Sequence, residues 1–125
     1  MTTHIITLPW TKPPLSMNDR GHWRKKAAQT ASVRGDCLAL ARHARLPRNC
    51  GHVHIRLHYR PRDNRHRDPI NLAATQKALV DGLRDYGLVP DDDPRYVTDH
   101  MPTIHPAEKG QGGRLWLELT IQETP

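Results

Sequence analysis

Residues 52–60, HVHIRLHYR, alternate without a break between apolar and polar positions. In an extended chain Val53, Ile55, Leu57 and Tyr59 fall on one side, and His52, His54, Arg56, His58 and Arg60 on the other. The pattern predicts a strand with one buried face and one basic or titratable face. The run RLWLELTIQ at 114–122 alternates in the same way and predicts the last strand. HIITL at 4–8 reads as a short strand that stops in the Pro9 to Pro14 region, where prolines withhold ladder donors. A further strand is expected around 95–104.

Between these segments the period changes. From Trp23 to about Ala44 the chain is rich in alanine, and Trp23, Ala27, Val33, Cys37, Leu40 and Ala44 recur near helical spacing. Gly35 is a point of disturbance, and Pro47 lies just beyond the end. A second helix ends near Tyr86, with Gly87 suited to a left-handed cap. The order β-α-β-α-β-β predicts an α+β fold with helices packed on a mixed sheet, closed by a hairpin with Gly110, Gly112 and Gly113 at its turn. A length of 125 residues suits one domain, 1–125, with a modest core.

Nineteen Lys and Arg against thirteen Asp and Glu give a formal charge of +6, which favours a polyanionic partner, nucleic acid first. No apolar run approaches the ~18 residues of a membrane span, and MTTHIITLPW lacks the charged start and cleavage site of a signal peptide, so a cytoplasmic protein with no membrane partner is expected. Cys37 and Cys50 are too few for a disulfide framework and lack metal-like spacing, which predicts reduced structural thiols. The histidines show no paired ligand spacing, and zinc is not expected.

One stretch, RHRDPINLAATQKALVDGLRDYGLVPDDDP at 65–94, sets carboxylates at both edges of a periodic segment. Arg60, Arg62, Arg65, His66 and Arg67 precede Asp68, and Asp91, Asp92 and Asp93 close the stretch. Phosphodiester hydrolysis calls for carboxylates around a hard cation such as Mg²⁺, set among basic groups that hold the phosphates. Each half alone has a plainer use: Asp68 before Pro69 suits a helix N-cap, and three aspartates before Pro94 suit a polar turn. Their joint presence in a basic chain points to a nuclease.

At these residues the sequence resembles the RusA-type Holliday junction resolvases, small phage- or prophage-borne crossover junction endodeoxyribonucleases acting on branched DNA. The family pattern is an Arg-rich approach to R-D-x-D-N, a helix reading K-A-L-x-D-x-L, then G-V or G-L, two residues, and D-D. Here those stand as Arg67, Asp68 and Asn71, then Lys77-Ala78-Leu79-Val80-Asp81-Gly82-Leu83, Gly87-Leu88 and Asp91-Asp92. Near the N-terminus, Pro14-Leu15-Ser16-Met17-Asn18 and the basic residues after it resemble the family's P-x-S-x-N segment. The resemblance implies a homodimer that binds a four-way junction in recombination and repair and nicks two opposed strands. It implies Mg²⁺, with Mn²⁺ as an alternative, and no small-molecule cofactor. Carried over, Asp68 and Asp92 are metal ligands and, with Lys77, the catalytic residues.

Two positions depart from the pattern. The second aspartate of R-D-x-D-N falls on Ile70, and the usual lysine position holds Ala74, with Lys77 three residues later. Asp93 and Asp99 are the carboxylates that stand in for the missing ligand, Asp99 because alternation places it with Val97 and Met101 on one face of its strand. Ile70, beside Leu72, is expected to pack beneath the helix start. The rival reading is a branched-DNA-binding protein of the same fold with weakened catalysis, and Ile70 discriminates between the two.

Chain geometry constrains the pair. A helix filling 69–86 would be about 27 Å long, whereas residues 87–92 reach back at most about 20 Å. Either the helix begins near Ala73, with Asn71 as cap and 68–72 folded over its start, or Asp92 comes from a dimer partner; the first is preferred. Phosphate contacts are expected from Asn18, Arg20, Arg24, Lys25 and Lys26, and from Arg62, Arg65, Arg67 and Asn71. Trp10 and Trp23 are expected in the core or an interface.

Overall fold

The computed structural model describes residues 1–15 and 22–122. Strands β1 (Thr2–Thr7), β2 (His52–Arg60), β3 (Val97–Asp99), β4 (Thr103–Ile104) and β5 (Arg114–Gln122) form one mixed sheet, and helices α1 (Trp23–Ala44) and α2 (Ala73–Tyr86) pack with it. The fold is α+β, as the order of elements predicts. β5 lies between β1 and β2, antiparallel to both, while β3 and β4 run parallel to β2 along its other edge. The β2–α2–β3 passage is therefore a crossover unit, which parallel neighbours require.

Alternation decides which sheet face is covered. Val53, Ile55, Leu57 and Tyr59 of β2 and Leu115, Leu117, Leu119 and Ile121 of β5 are buried in one core with Val33, Cys37 and Ala41 of α1 and Leu79 and Leu83 of α2. Burial pushes the Cys37 thiol up to about 12, so it stays an inert, protonated core group. The opposite face carries the basic residues of β2, only partly exposed because they pair with groups on or beside the neighbouring strands. His58 lies between Glu118 Oε1 and His105 Nε2, both at 2.8 Å, and His54 Nδ1 lies 3.0 Å from His100 Nε2.

α1 is unbroken at Gly35 and ends where Arg45 turns left-handed at φ 53. The two helices approach so closely that a Cβ on Gly82 of α2 would fall 2.5 Å from the Arg34 carbonyl oxygen and 2.8 Å from Cys37 Cβ. A two-pronged ion pair from Arg34 to Asp85 closes the same contact.

Three expectations change. The strand at 95–104 is two short pieces separated at His100–Pro102, because Pro102 has no N–H to give the ladder. The last strands form no hairpin: β4 and β5 occupy opposite edges of β2. Of the glycines between them, Gly113 serves close packing, since a Cβ there would fall 1.8 Å from the Thr11 carbonyl oxygen, and Gly110 turns left-handed at φ 79. Trp23 is exposed, whereas Trp10 packs partly against the core.

Candidate functional site

Asp68 opens the site. Its Oδ1 accepts the Ile70 N–H at 3.1 Å and its carbonyl accepts the Asn71 N–H at 3.0 Å, which caps a 3₁₀ turn over Pro69–Leu72. Pro69 suits the first position because that position needs no donor. α2 then begins at Ala73, so the shorter helix is the one formed; its cap is Leu72 with no side-chain bond, and Asn71 does not cap it. Asp68 lines a cleft of about 320 Å³ with Lys12, Tyr59, His66, Arg67 and Asn71.

Three residues per turn send Leu72 inward and leave Ile70 out. Leu72 is buried, whereas Ile70 is 44 % exposed, which corrects the expectation that Ile70 packs beneath the helix. Ile70 lines a separate cleft of about 260 Å³ with Gln76, Lys77, Asp99, His100 and Met101.

Lys77 organises this second cleft. Its Nζ donates to Asp92 Oδ2 and to Asp81 Oδ1, each at 3.0 Å, and Arg84 Nη1 lies 3.3 Å from the same Asp92 oxygen. Hydrogen bonds from Lys77 hold the Asp92 carboxyl below its ordinary range, and the two aspartates raise the Lys77 ammonium. Asp99 moves the other way: burial raises its pKa and the Asp92 charge adds to this, against the Gln76 hydrogen bond and the Lys77 charge. The remaining acidic residues settle the turn. Asp91 Oδ1 accepts the Asp92 N–H at 2.8 Å, and Asp93 accepts from the Arg95 N–H and Nη2, both at 2.8 Å.

The basic residues divide by how much of their hydrogen bonding is committed. Arg67 donates to the Asp63 carbonyl, Asp63 Oδ1 and the Arg65 carbonyl at 2.8–2.9 Å, and so braces the 61–68 loop. Arg62 and Arg65 keep exposed side chains beside Asp63. Arg24 and Lys25 are exposed and Lys26 half-buried in the first turn of α1. Asn18 and Arg20 lie outside the described residues.

The Mg²⁺ implied by the resemblance meets no ready cage of carboxylates. Among the described residues no three His, Cys, Asp or Glu side chains gather where one metal ion could be held. Asp68 and Asp99 line different clefts, Asp92 is engaged by Lys77 and Arg84, and Asp93 by Arg95. Gln76 lines the same cleft as Asp99, and its buried Oε1 has no hydrogen-bond partner.

Gln76 and Lys12 line these clefts, Asp81 and Asp63 hold their Lys77 and Arg67, and none of the four was marked as a site residue by sequence. Asp81 was within reach of pattern, standing one helical turn after Lys77. Lys12 arrives through a proline-rich segment without periodicity, and nothing in the chain marks Gln76 apart from its place before Lys77. No protein-family model matches the chain, and no curated protein matches it.

Proposed function

We propose that this protein is a structure-selective DNA endonuclease of the RusA type that acts on four-way junctions or related branched DNA, as a homodimer and with a divalent cation. One observation carries the reading. Lys77 and Asp92, which the family motif places on separate elements, are in contact, and Ile70, at the position of the missing family aspartate, lines the Lys77 cleft together with Asp99.

The roles follow from charge and access. Arg62 and Arg65 extend from a braced loop and grip phosphates, with Lys12 beside them and Arg24 and Lys25 on the first turn of α1. Lys77 stays an ammonium at neutral pH, held by two carboxylates, and stabilises negative charge on a phosphate oxygen brought into the cleft. A divalent ion, when bound, supplies Lewis acidity and an activated water.

A second reading is favoured by Asp68, whose Oδ1 is occupied as a cap, and by the apolar Ile70: a protein that holds branched DNA without cutting it. A labelled four-way junction incubated with Mg²⁺ or with EDTA separates the two. Paired nicks that require Mg²⁺ are expected. Retention of the junction without nicking selects the second reading, and absence of binding at low salt removes both.

A further inference from the structure

The two edges of the sheet are closed to different degrees. Beyond β2 the edge is made of β3 and β4, three and two residues long and parted by Pro102, so it offers no length for another strand to pair with. The other edge is β1. It pairs with β5 over Thr2–Thr7 in one unbroken register and has no second neighbour. It holds no proline, no bulge and no Lys, Arg, Asp or Glu, the devices that keep a strand edge from pairing.

Register fixes which groups this edge offers. The Leu8 N–H donates to the Leu115 carbonyl at 3.0 Å, so by antiparallel alternation Ile6, His4 and Thr2 also turn their backbone groups towards β5. Thr3, Ile5 and Thr7 turn theirs away. Among the described residues no hydrogen bond reaches these outward N–H and C=O groups. Their side chains stand on the uncovered sheet face, beside Thr120, Glu118 and Trp116, and all three residues are exposed, Ile5 by 55 %.

The segment is its own complement. A two-fold axis through Ile5, perpendicular to the sheet, sets Ile5 against Ile5 and Thr3 against Thr7 of a second copy, so all the outward residues pair with one another. An axis at Ile6 would set Thr3 against Pro9, which has no N–H, and one at His4 would leave Thr7 opposite Met1, outside β1. A slip of one residue would put the side chains of the two copies on opposite faces. The strand carries no formal charge to repel a copy or to select a charged peptide.

We propose that β1 is a dimer interface, through which two copies of this chain pair antiparallel about an axis at Ile5 and join their sheets into one. The inference goes beyond the endonuclease reading, which includes a homodimer but gives it no surface, and it does not depend on cleavage. Its consequence is geometric. From β3 through β1 to the β3 of the partner are seven strand spacings of ~4.8 Å, which sets the two β3 strands about 34 Å apart. Each Lys77 cleft is then built from one chain, at opposite ends of the joined sheet.

Sedimentation velocity of the full chain without DNA, over a concentration series, tests the interface. The parent is expected to form a dimer. Ile5→Lys, which sets like charges against each other on the axis, should weaken dimerisation at least tenfold while its thermal melt stays near the parent's. Ile5→Cys keeps the test decisive if the lysine variant fails to fold: on mild oxidation it should form a disulfide-linked dimer, since cross-strand partners on the axis lie within disulfide reach. Thr3→Cys, whose counterpart lies four residues along the partner strand, and Glu118→Cys, on the next strand, should not; Cys37 and Cys50 are buried in all of them. The inference is overturned if the parent stays monomeric up to millimolar concentration, if Ile5→Lys dimerises as the parent does, or if Thr3→Cys or Glu118→Cys links as readily as Ile5→Cys. A protein that pairs through Ile5 but leaves junctions intact keeps this inference and loses the endonuclease reading. One that nicks junctions while its dimer ignores Ile5 does the reverse.

Discussion

The Lys77 ammonium lies 3.0 Å from the Asp92 carboxylate, 15 residues further along the chain. The contact ties the turn after α2 back onto the helix and keeps both groups charged. Because the folded Asp92 pKa is depressed, its contribution to stability is present above the ordinary carboxylate range and is lost as pH falls through the lowered value. Lys77→Met should therefore move Asp92 titration up towards its ordinary value, with Arg84 and the Asp91 contact still restraining it. Carboxyl-carbon NMR across the acid range reads this directly. The stability change should stay within about 1 kcal/mol, since the pair is largely in water.

Ile70→Asp separates a cleft-lining residue from a core residue. A side chain 44 % exposed should accept the carboxylate with a stability change of about 0.5 kcal/mol or less. The same substitution brings a further oxygen to the cleft of Lys77 and Asp99 and should strengthen Mg²⁺ dependence of nicking. A thermal melt beside the nicking assay checks both; loss of several kcal/mol would return Ile70 to the core.

Gly82 and Gly35 should respond oppositely to alanine. At Gly82 the added Cβ collides with the α1 backbone at Arg34, so the helices must part, at a cost of about 1–3 kcal/mol. At Gly35 nothing lies within 4 Å, and the helix gains up to about 1 kcal/mol. Urea unfolding of both variants measures the difference.

Junction binding should weaken with salt, with a log–log slope of about −0.9 for each phosphate neutralised. Arg62→Gln or Arg65→Gln should each reduce the slope by about one contact. Asp63→Asn should act differently, because it releases the Arg67 brace: limited trypsin digestion should cut the 61–68 loop faster than in the parent. Equal digestion rates would mean that the loop is held by other contacts.

Legibility in the sequence followed period. β2 and β5 alternate so strictly that their inner faces leave little choice, but their pairing with each other, Val53 with Ile121 and Leu57 with Leu117, was not legible, because the glycines before β5 suggested a hairpin with the preceding strand. The late start of α2 was legible too, because chain reach disfavoured a longer helix if Asp68 and Asp92 were to share a site. What period could not reach were features set by single backbone atoms. Pro102 splits a strand that otherwise reads as continuous, and a 3₁₀ turn, with three residues per repeat, reverses the directions of Ile70 and Leu72 from those of a strand or a helix core. The clefts were legible as residue types and not as partners. A run of aspartates says nothing of which one meets Lys77, and Gln76 matters only because its nitrogen is spoken for by Asp99 and His100.

The central position of β5 bears on how the chain assembles. Thr2 to Thr7 can join the sheet only through residues 116–121, and β2 reaches its long antiparallel partner across more than fifty intervening residues. During synthesis the helices can dock on each other while β1 has no edge to join and the long edge of β2 stays open. Most of the ladder must then close in one step, once β5 is available to pair, which slows refolding and makes aggregation most acute just before that step.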